Sequence, residues 1–208
     1  MSIVPEGFKL VLIGCALAAA GGLTAIWSKN FGVPIFILAI LFTCFSLYFF
    51  RDPERNKTFA AGEIACPADG TVLSVTSEGD PDITVVRIFL SIFNVHLQRS
   101  PIDGKIVSNE FIKGEFAVAF KPEASVNQRN KIKIISKDGK IIEVEQITGA
   151  IARRIASYVK AGQDVKAGDK IGMIYFGSQV ALYLPKSVKV SVKVGDKVQA
   201  GETTIAMW

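Results

Sequence analysis

The chain has 208 residues, half of them hydrophobic, a formal net charge of +5 and a single histidine; its mean hydropathy is +0.35. That composition excludes a disordered chain, and one imidazole excludes His-rich metal sites and any two-histidine mechanism. Charge is unevenly placed: up to Phe50 only Glu6, Lys9 and Lys29 carry it, so the sequence reads as a hydrophobic arm joined to an ordinary polar domain.

The arm holds two uncharged runs, Leu10–Trp27 and Phe31–Phe50. Each is long enough to cross a hydrocarbon core of about 30 Å as a helix, and Ser28-Lys29-Asn30 between them predicts a tight helical hairpin. Two runs without a small-residue cleavage site argue against a signal peptide. Gly14, Gly21, Gly22, Gly32 and Pro34 weaken the helices, so a spanning hairpin and a pair of buried or interfacial helices both stay open. Arg51, Arg55 and Lys57 follow the second run, against one lysine in the hairpin loop. The positive-inside rule puts this side in the cytoplasm. The expected division is residues 1–57, arm and basic linker, and residues 58–208, a β-rich domain. The positive charge suits an anionic membrane surface. No dense basic stripe with interleaved aromatics points to nucleic acid. Cys15, Cys44 and Cys66 suggest neither disulfides nor, without a Cys-x-x-Cys spacing, zinc; they fit a reducing compartment.

The polar domain reads as mainly β. Thr71–Val75, Ile83–Leu90, Lys131–Ser136 and Ile141–Gln146 are strand-like, with a turn at Lys137-Asp138-Gly139-Lys140. Further strands are expected at Val188–Val194 and Val198–Ile205. Gly149–Tyr158 is the one expected helix, from the spacing of Ile151, Ile155 and Tyr158. Two internal echoes occur. Cys66-Pro-Ala-Asp-Gly-Thr-Val72 matches Ser100-Pro-Ile-Asp-Gly-Lys-Ile106, and Val159–Asp169 matches Val192–Glu202. Paired strand–turn–strand units of this kind resemble the barrel-sandwich folds of biotinyl and lipoyl carriers. The segment Tyr175–Val180 between the second pair has no lysine, so the likeness speaks for the fold and not for a carrier.

Candidate chemistry is sparse. Gly177-Ser178 sits between apolar runs, where a glycine bulge with a small filler is the plain alternative. No Gly-x-Ser-x-Gly elbow surrounds it, since position 180 is Val. His96 shares an alternating face with Asn94 and Gln98 and is either functional or structural. Asp69 and Asp103 occupy like Pro-x-Asp-Gly turns, and local pattern does not separate them.

Six stretches then occur in order: Tyr48-Phe-Phe-Arg-Asp-Pro-Glu-Arg55, Pro67-Ala-Asp-Gly70, Phe89-Leu-Ser with Asn94-Val-His96 and Arg99-Ser-Pro101, Asn127-Gln-Arg-Asn130, Gly149-Ala-Ile-Ala-Arg-Arg-Ile155 and Phe176-Gly-Ser178. Together they resemble the short, membrane-associated class of phosphatidylserine decarboxylase. The resemblance implies a proenzyme that cleaves itself between Gly177 and Ser178. Ser178 Oγ attacks the Gly177 carbonyl, and the resulting ester eliminates and hydrolyses to leave a pyruvoyl group on the new terminus, with loss of ammonia. The products are a large chain, 1–177, and a small one, 178–208, which remain paired; further dimerisation is not specified.

The resemblance also implies a covalent pyruvoyl cofactor, no metal, and decarboxylation of phosphatidylserine to phosphatidylethanolamine through a Schiff base. His96 is implied as proton donor, Asp69 as an aid to cleavage, directly or through His96, and Arg99 as an oxyanion or substrate-anion contact. Arg99 stands where longer members have a second histidine, so their Asp–His–Ser relay does not transfer, and Gln179 receives no role. Two alternatives stand beside this reading: a non-enzymatic membrane-anchored barrel-sandwich adaptor, and a decarboxylase of another serine-headgroup lipid such as an ether lipid.

Overall fold

In a computed structural model, residues 2–78, 80–115, 127–149, 154–175 and 178–208 are described. The chain falls into two compact units, Met1–Glu54 and Arg55–Trp208.

In the first unit, β1 (Ser2–Ile3) leads into α1 (Pro5–Trp27), which starts with Pro at N1 and Glu6 in its first turn, both favourable at a helix N-terminus. Only Ser28 separates α1 from α2 (Lys29–Phe49), and β2 (Arg51–Asp52) returns to pair with β1. Of the glycines expected to weaken these helices, Gly14, Gly21 and Gly32 instead line their seam. Gly7, Gly14 and Gly21 of α1 and Gly32, Ala39 and Ser46 of α2 are buried, each series at seven-residue spacing. A Cβ on Gly21 would stand 2.6 Å from the Phe36 amide nitrogen, so the backbones approach as small-residue helix pairs do in membranes. Many of the large apolar side chains are exposed, among them Leu12, Leu23, Ile26, Trp27, Phe31 and Leu38. Both helices are long and apolar enough to cross a membrane, spanning roughly 32–35 Å at 1.5 Å per residue. An apolar surface around a small-residue seam fits membrane association.

In the second unit, alternating apolar residues build strands whose inner faces share one core. The strands are β3 (Glu63–Ala65), β4 (Gly70–Thr76), β5 (Ile83–Leu90), β6 (Leu97–Arg99), β7 (Gly104–Ile112), β8 (Arg129–Ile135), β9 (Ile141–Ile147), β10 (Ile155–Ser157), β11 (Asp164–Val165), β12 (Lys170–Ile174), β13 (Ser178–Pro185), β14 (Lys189–Val190), β15 (Lys197–Val198) and β16 (Thr204–Met207). An eight-stranded sheet runs β11-β7-β8-β9-β13-β5-β4-β15, beside two three-stranded sheets, β10-β12-β6 and β14-β16-β3. Val86, Ile88, Leu90, Ile132, Ile134, Ile142, Val144, Val180, Leu182 and Leu184 meet in the main core. This is the mainly β, barrel-sandwich-like domain behind an apolar helical pair that the sequence predicts.

The two echoes combine into one internal two-fold repeat. Asp69 Oδ1 accepts from Ala200 N at 2.8 Å, and Asp103 Oδ1 accepts from Ala167 N at 2.8 Å. Gly201 N donates to Cys66 O as Gly168 N donates to Ser100 O, each at 2.9 Å. The halves interlock where Arg99 N donates to Pro67 O and Ala65 N to Pro101 O.

Two expectations need correction. The described residues of Gly149–Tyr158 are not helical: Ile155–Ser157 is β10, paired with β12 from Ile155↔Ile174 to Ser157↔Gly172, while residues 150–153 lie outside the described residues. Strand pairing satisfies this backbone, and tertiary context overrides the helical spacing. The strand expected over Val198–Ile205 is divided into β15 and β16 because the chain turns at Gly201, φ +67°; β14 covers only Lys189–Val190 of Val188–Val194.

Candidate active site

Ser178 opens β13, a strand bordered on both sides. Ser178 pairs with Leu90 of β5, and Gln179 pairs with both Phe89 of β5 and Ile147 of β9. By strand alternation its side chain shares the inner face with Val180, Leu182 and Leu184. It is fully buried, and its Oγ has no hydrogen-bond partner among the described residues. Burying a hydroxyl without a partner is unfavourable, and such an atom in a core invites a functional explanation. Gly177 lies outside the described residues.

Asp69 stands at the same end of the sheet. β4 and β5 pair from Thr71↔Phe89, so the backbone at Asp69-Gly70 is two strand spacings, about 10 Å, from Ser178. The Asp69 carboxylate accepts from Arg55 Nη2 at 3.0 and 3.3 Å as well as from Ala200 N, and both ion-pair side chains are 10% exposed. Asp103, its counterpart in the other half, is exposed. Burial and Arg55 therefore separate two aspartates that their turn motifs leave alike. In the same turn, Cys66 Sγ donates to Ala68 O at 3.1 Å; burial pushes its thiol up to about 12, so it stays protonated.

His96 is fully buried just before β6. Its Nδ1 lies 3.0 Å from Asn94 O. A carbonyl only accepts, so Nδ1 carries the proton, and Nε2 is the nitrogen open to protonation in the neutral ring. The loop holding Asn94 is closed by Ser91 N and Ser91 Oγ, which donate to Asn94 Oδ1 at 2.9 and 2.8 Å. The backbone oxygen of His96 accepts from Ile174 N at 3.1 Å. Ile174 ends β12, the strand that leads into Ser178.

Arg99 Nη1 donates to Gly168 O at 2.8 Å, and the side chain lines a cavity of ≈ 430 Å³ with Arg55, Lys57, Lys170 and Asp169. The structure thus places Ser178 and Asp69 at one sheet end, sets His96 beside β12, and puts Arg99 in the lining of a cavity rich in cations. None of the three hydrogen-bonds Ser178 Oγ.

Several site residues escape a reading of the sequence by motif. Arg55, which in sequence is one of three basic residues after the second apolar run, holds Asp69. Gln179 accepts from Arg87 Nη1 at 2.8 Å, and Arg87 is itself paired with Glu78. The hydrogen bonds that Arg87 donates to Glu78 hold that carboxyl below its ordinary range. Asn130 and Gln146 interrupt the apolar faces of β8 and β9; polar residues on an otherwise apolar alternation were the available signal. Among the described residues no group of three or more His, Cys, Asp or Glu is placed to hold a metal.

A family model described as phosphatidylserine decarboxylase matches residues 42–206. A phosphatidylserine decarboxylase proenzyme of Burkholderia vietnamiensis is 37% identical over 209 residues, covering 98% of this chain and 95% of that protein. Proteins of the same name from Burkholderia multivorans and Burkholderia mallei are also 37% identical, over 209 and 213 residues, each covering 98% of this chain. A small-chain β enzyme scaffold, with a buried serine whose hydroxyl finds no partner among the described residues, is therefore matched across nearly its whole length. The chain belongs to the phosphatidylserine decarboxylase family and is a decarboxylase; the non-enzymatic adaptor alternative falls.

Proposed function

We propose that this chain is a proenzyme that cleaves itself between Gly177 and Ser178 and then decarboxylates phosphatidylserine to phosphatidylethanolamine at the cytoplasmic face of a membrane. The observation that carries the reading is Ser178 itself: a buried hydroxyl without a partner among the described residues, at the first residue of a strand held on both edges. Attack by Oγ on the Gly177 carbonyl moves the chain from nitrogen to oxygen. Elimination and hydrolysis then leave a pyruvoyl group where the serine stood. The residues fit that group, because the strand that would carry it is fixed by β5 and β9, and scission before Ser178 removes none of those pairings. Once formed, the pyruvoyl group supplies an electron-withdrawing carbonyl that takes up the electrons left as CO₂ departs.

The chain's own residues divide the remaining work. His96, held as the Nδ1-protonated tautomer by Asn94, presents Nε2 as the proton-carrying atom. Asp69, paired with Arg55, places a fixed carboxylate at the sheet end where cleavage occurs and assists it there. Arg99 binds the headgroup phosphate. The cavity it shares with Lys57, Lys170 and the Asp69-paired Arg55, with Asp169 as the one carboxylate in its lining, carries a cationic excess that supports an anion site over an oxyanion role, and a guanidinium fork suits phosphate. The chains 1–177 and 178–208 remain one heterodimer through β13–β16. Arg51, Arg55 and Lys57 after α2 support the cytoplasmic orientation.

Intact mass and a denaturing gel of purified protein test the proposal. Two chains meeting at the 177/178 junction are expected, with a ketone-capped small chain, and Ser178→Ala should remain a single 22.5 kDa species without activity. A wild-type preparation that stays uncut while active would overturn it.

A further inference from the structure

We propose that Gln98, Gln146 and Asn130 form a chain of buried amides whose task is to position His96; this rests on the proton-carrying role given to His96 above. Asn130 Nδ2 donates to Gln146 Oε1 at 3.0 Å, Gln146 Nε2 donates to Gln98 Oε1 at 2.7 Å, and Gln98 Nε2 donates to the backbone oxygen of His96 at 2.8 Å. Gln98 and Gln146 are fully buried and Asn130 is 3% exposed. The direction of the chain is fixed by its end. A peptide oxygen only accepts, so Gln98 turns its NH₂ to His96 and its oxygen to Gln146, which must donate, and so on to Asn130.

Three amides in an apolar core are unfavourable unless every link is made, and apolar residues would fill the same strands. The fold makes room for them instead. Gly172 stands opposite Gln98 in the β12–β6 pair, and a Cβ there would lie 2.6 Å from Gln146 Nε2 and 2.6 Å from Ala156 O. Gln146 is the cross-strand partner of Val180 on the inner face that Ser178 shares, so the amides occupy the layer between the serine strand and the histidine strand. With Ile174 N on its other side, the His96 peptide is clamped from both the core sheet and the strand entering Ser178. Loss of the amides frees that peptide, and the ring with it. They are positioning residues, since none is placed at the reacting atoms.

The single histidine makes the test direct. Full-length processed protein labelled with ¹⁵N-histidine in detergent micelles gives one imidazole spin system. We expect wild type to show one Nδ1-protonated tautomer. The triple variant Gln98→Met, Asn130→Leu, Gln146→Met removes all three amides and leaves no side-chain partner unpaired. It should show exchange between tautomers, with kcat lower by about tenfold to a hundredfold at unchanged KM. A triple variant with the wild-type imidazole signal and wild-type kcat overturns the proposal. Should it fail to fold, Gln146→Met, which removes both links made by the central amide, and Gly172→Ala, whose Cβ crowds Gln146 Nε2, decide by the same two readouts. Full turnover in His96→Ala would instead remove the role given to His96, while the imidazole spectra of the amide variants still decide whether the amides hold the ring.

Discussion

Asparagine replacing Asp69 or Asp103, each on a Ser178→Ala background that keeps the chain whole, sets two like turns against each other. The Asp69→Asn change would keep an acceptor for Ala200 N but leave the Arg55 guanidinium, 10% exposed, without its counter-charge. Breaking a buried pair from one side costs about 3–5 kcal/mol. Residual exposure and the Arg55–Gln199 hydrogen bond at 3.1 Å reduce this to about 2–4 kcal/mol. At about 2–4 °C per kcal/mol for a domain of this size, the midpoint should fall by roughly 5–15 °C. Asp103 is exposed and accepts from Ala167 N, so its replacement should cost under about 1 kcal/mol. Circular dichroism melts in detergent measure both. With Ser178 restored, Asp69→Asn should slow the appearance of the small chain on a gel while Asp103→Asn does not. Equal destabilisation by the two, or wild-type scission in Asp69→Asn, would refute the assignment of Asp69 to the site and Asp103 to a surface turn.

Arg99→Met should leave scission intact and raise the KM for phosphatidylserine about tenfold or more, the loss of one charge-assisted contact, in a mixed-micelle assay. Arg87 lowers the folded pKa of Glu78 below 4.5, so that pair stabilises the protein fully above 4.5 and less as pH falls through the lowered value. Melting midpoints should therefore drop more steeply on acidification below 4.5 in wild type than in Glu78→Gln. Gly21→Leu should force the helices of the hairpin apart and cut the yield of protein floating with vesicles. Gly22→Leu, whose Cβ would first meet Phe36 at 3.8 Å, should not.

Alternation and turn chemistry made most of the β domain legible. Ile83–Leu90 matches β5 residue for residue, and β8, β9 and their Asp-Gly turn fall within two residues of expectation. The misreadings share a cause. Ile155 and its neighbours keep helical spacing, but their backbone pairs with a strand distant in sequence, and spacing carries no record of that partner. Gly14, Gly21 and Gly32 look like helix weakeners in sequence because their value lies in the close approach of a neighbouring helix that the sequence does not display. Motif order alone singles out Ser178 and His96 as candidates. The ion pair that distinguishes Asp69, and the Asn130–Gln146 cross-strand pair, join residues 14 to 16 positions apart in sequence, and only the folded registers bring them together.

The doubly bordered strand that begins at Ser178 has a thermodynamic corollary. Under the proposed scission the precursor folds as a unimolecular event, whereas the mature enzyme, once denatured, must find a detached 31-residue partner in a second-order encounter. Maturation would then be a ratchet: recovery from denaturation becomes dilution-sensitive, and the working lifetime is set by how slowly the assembled sheet opens rather than by its equilibrium stability.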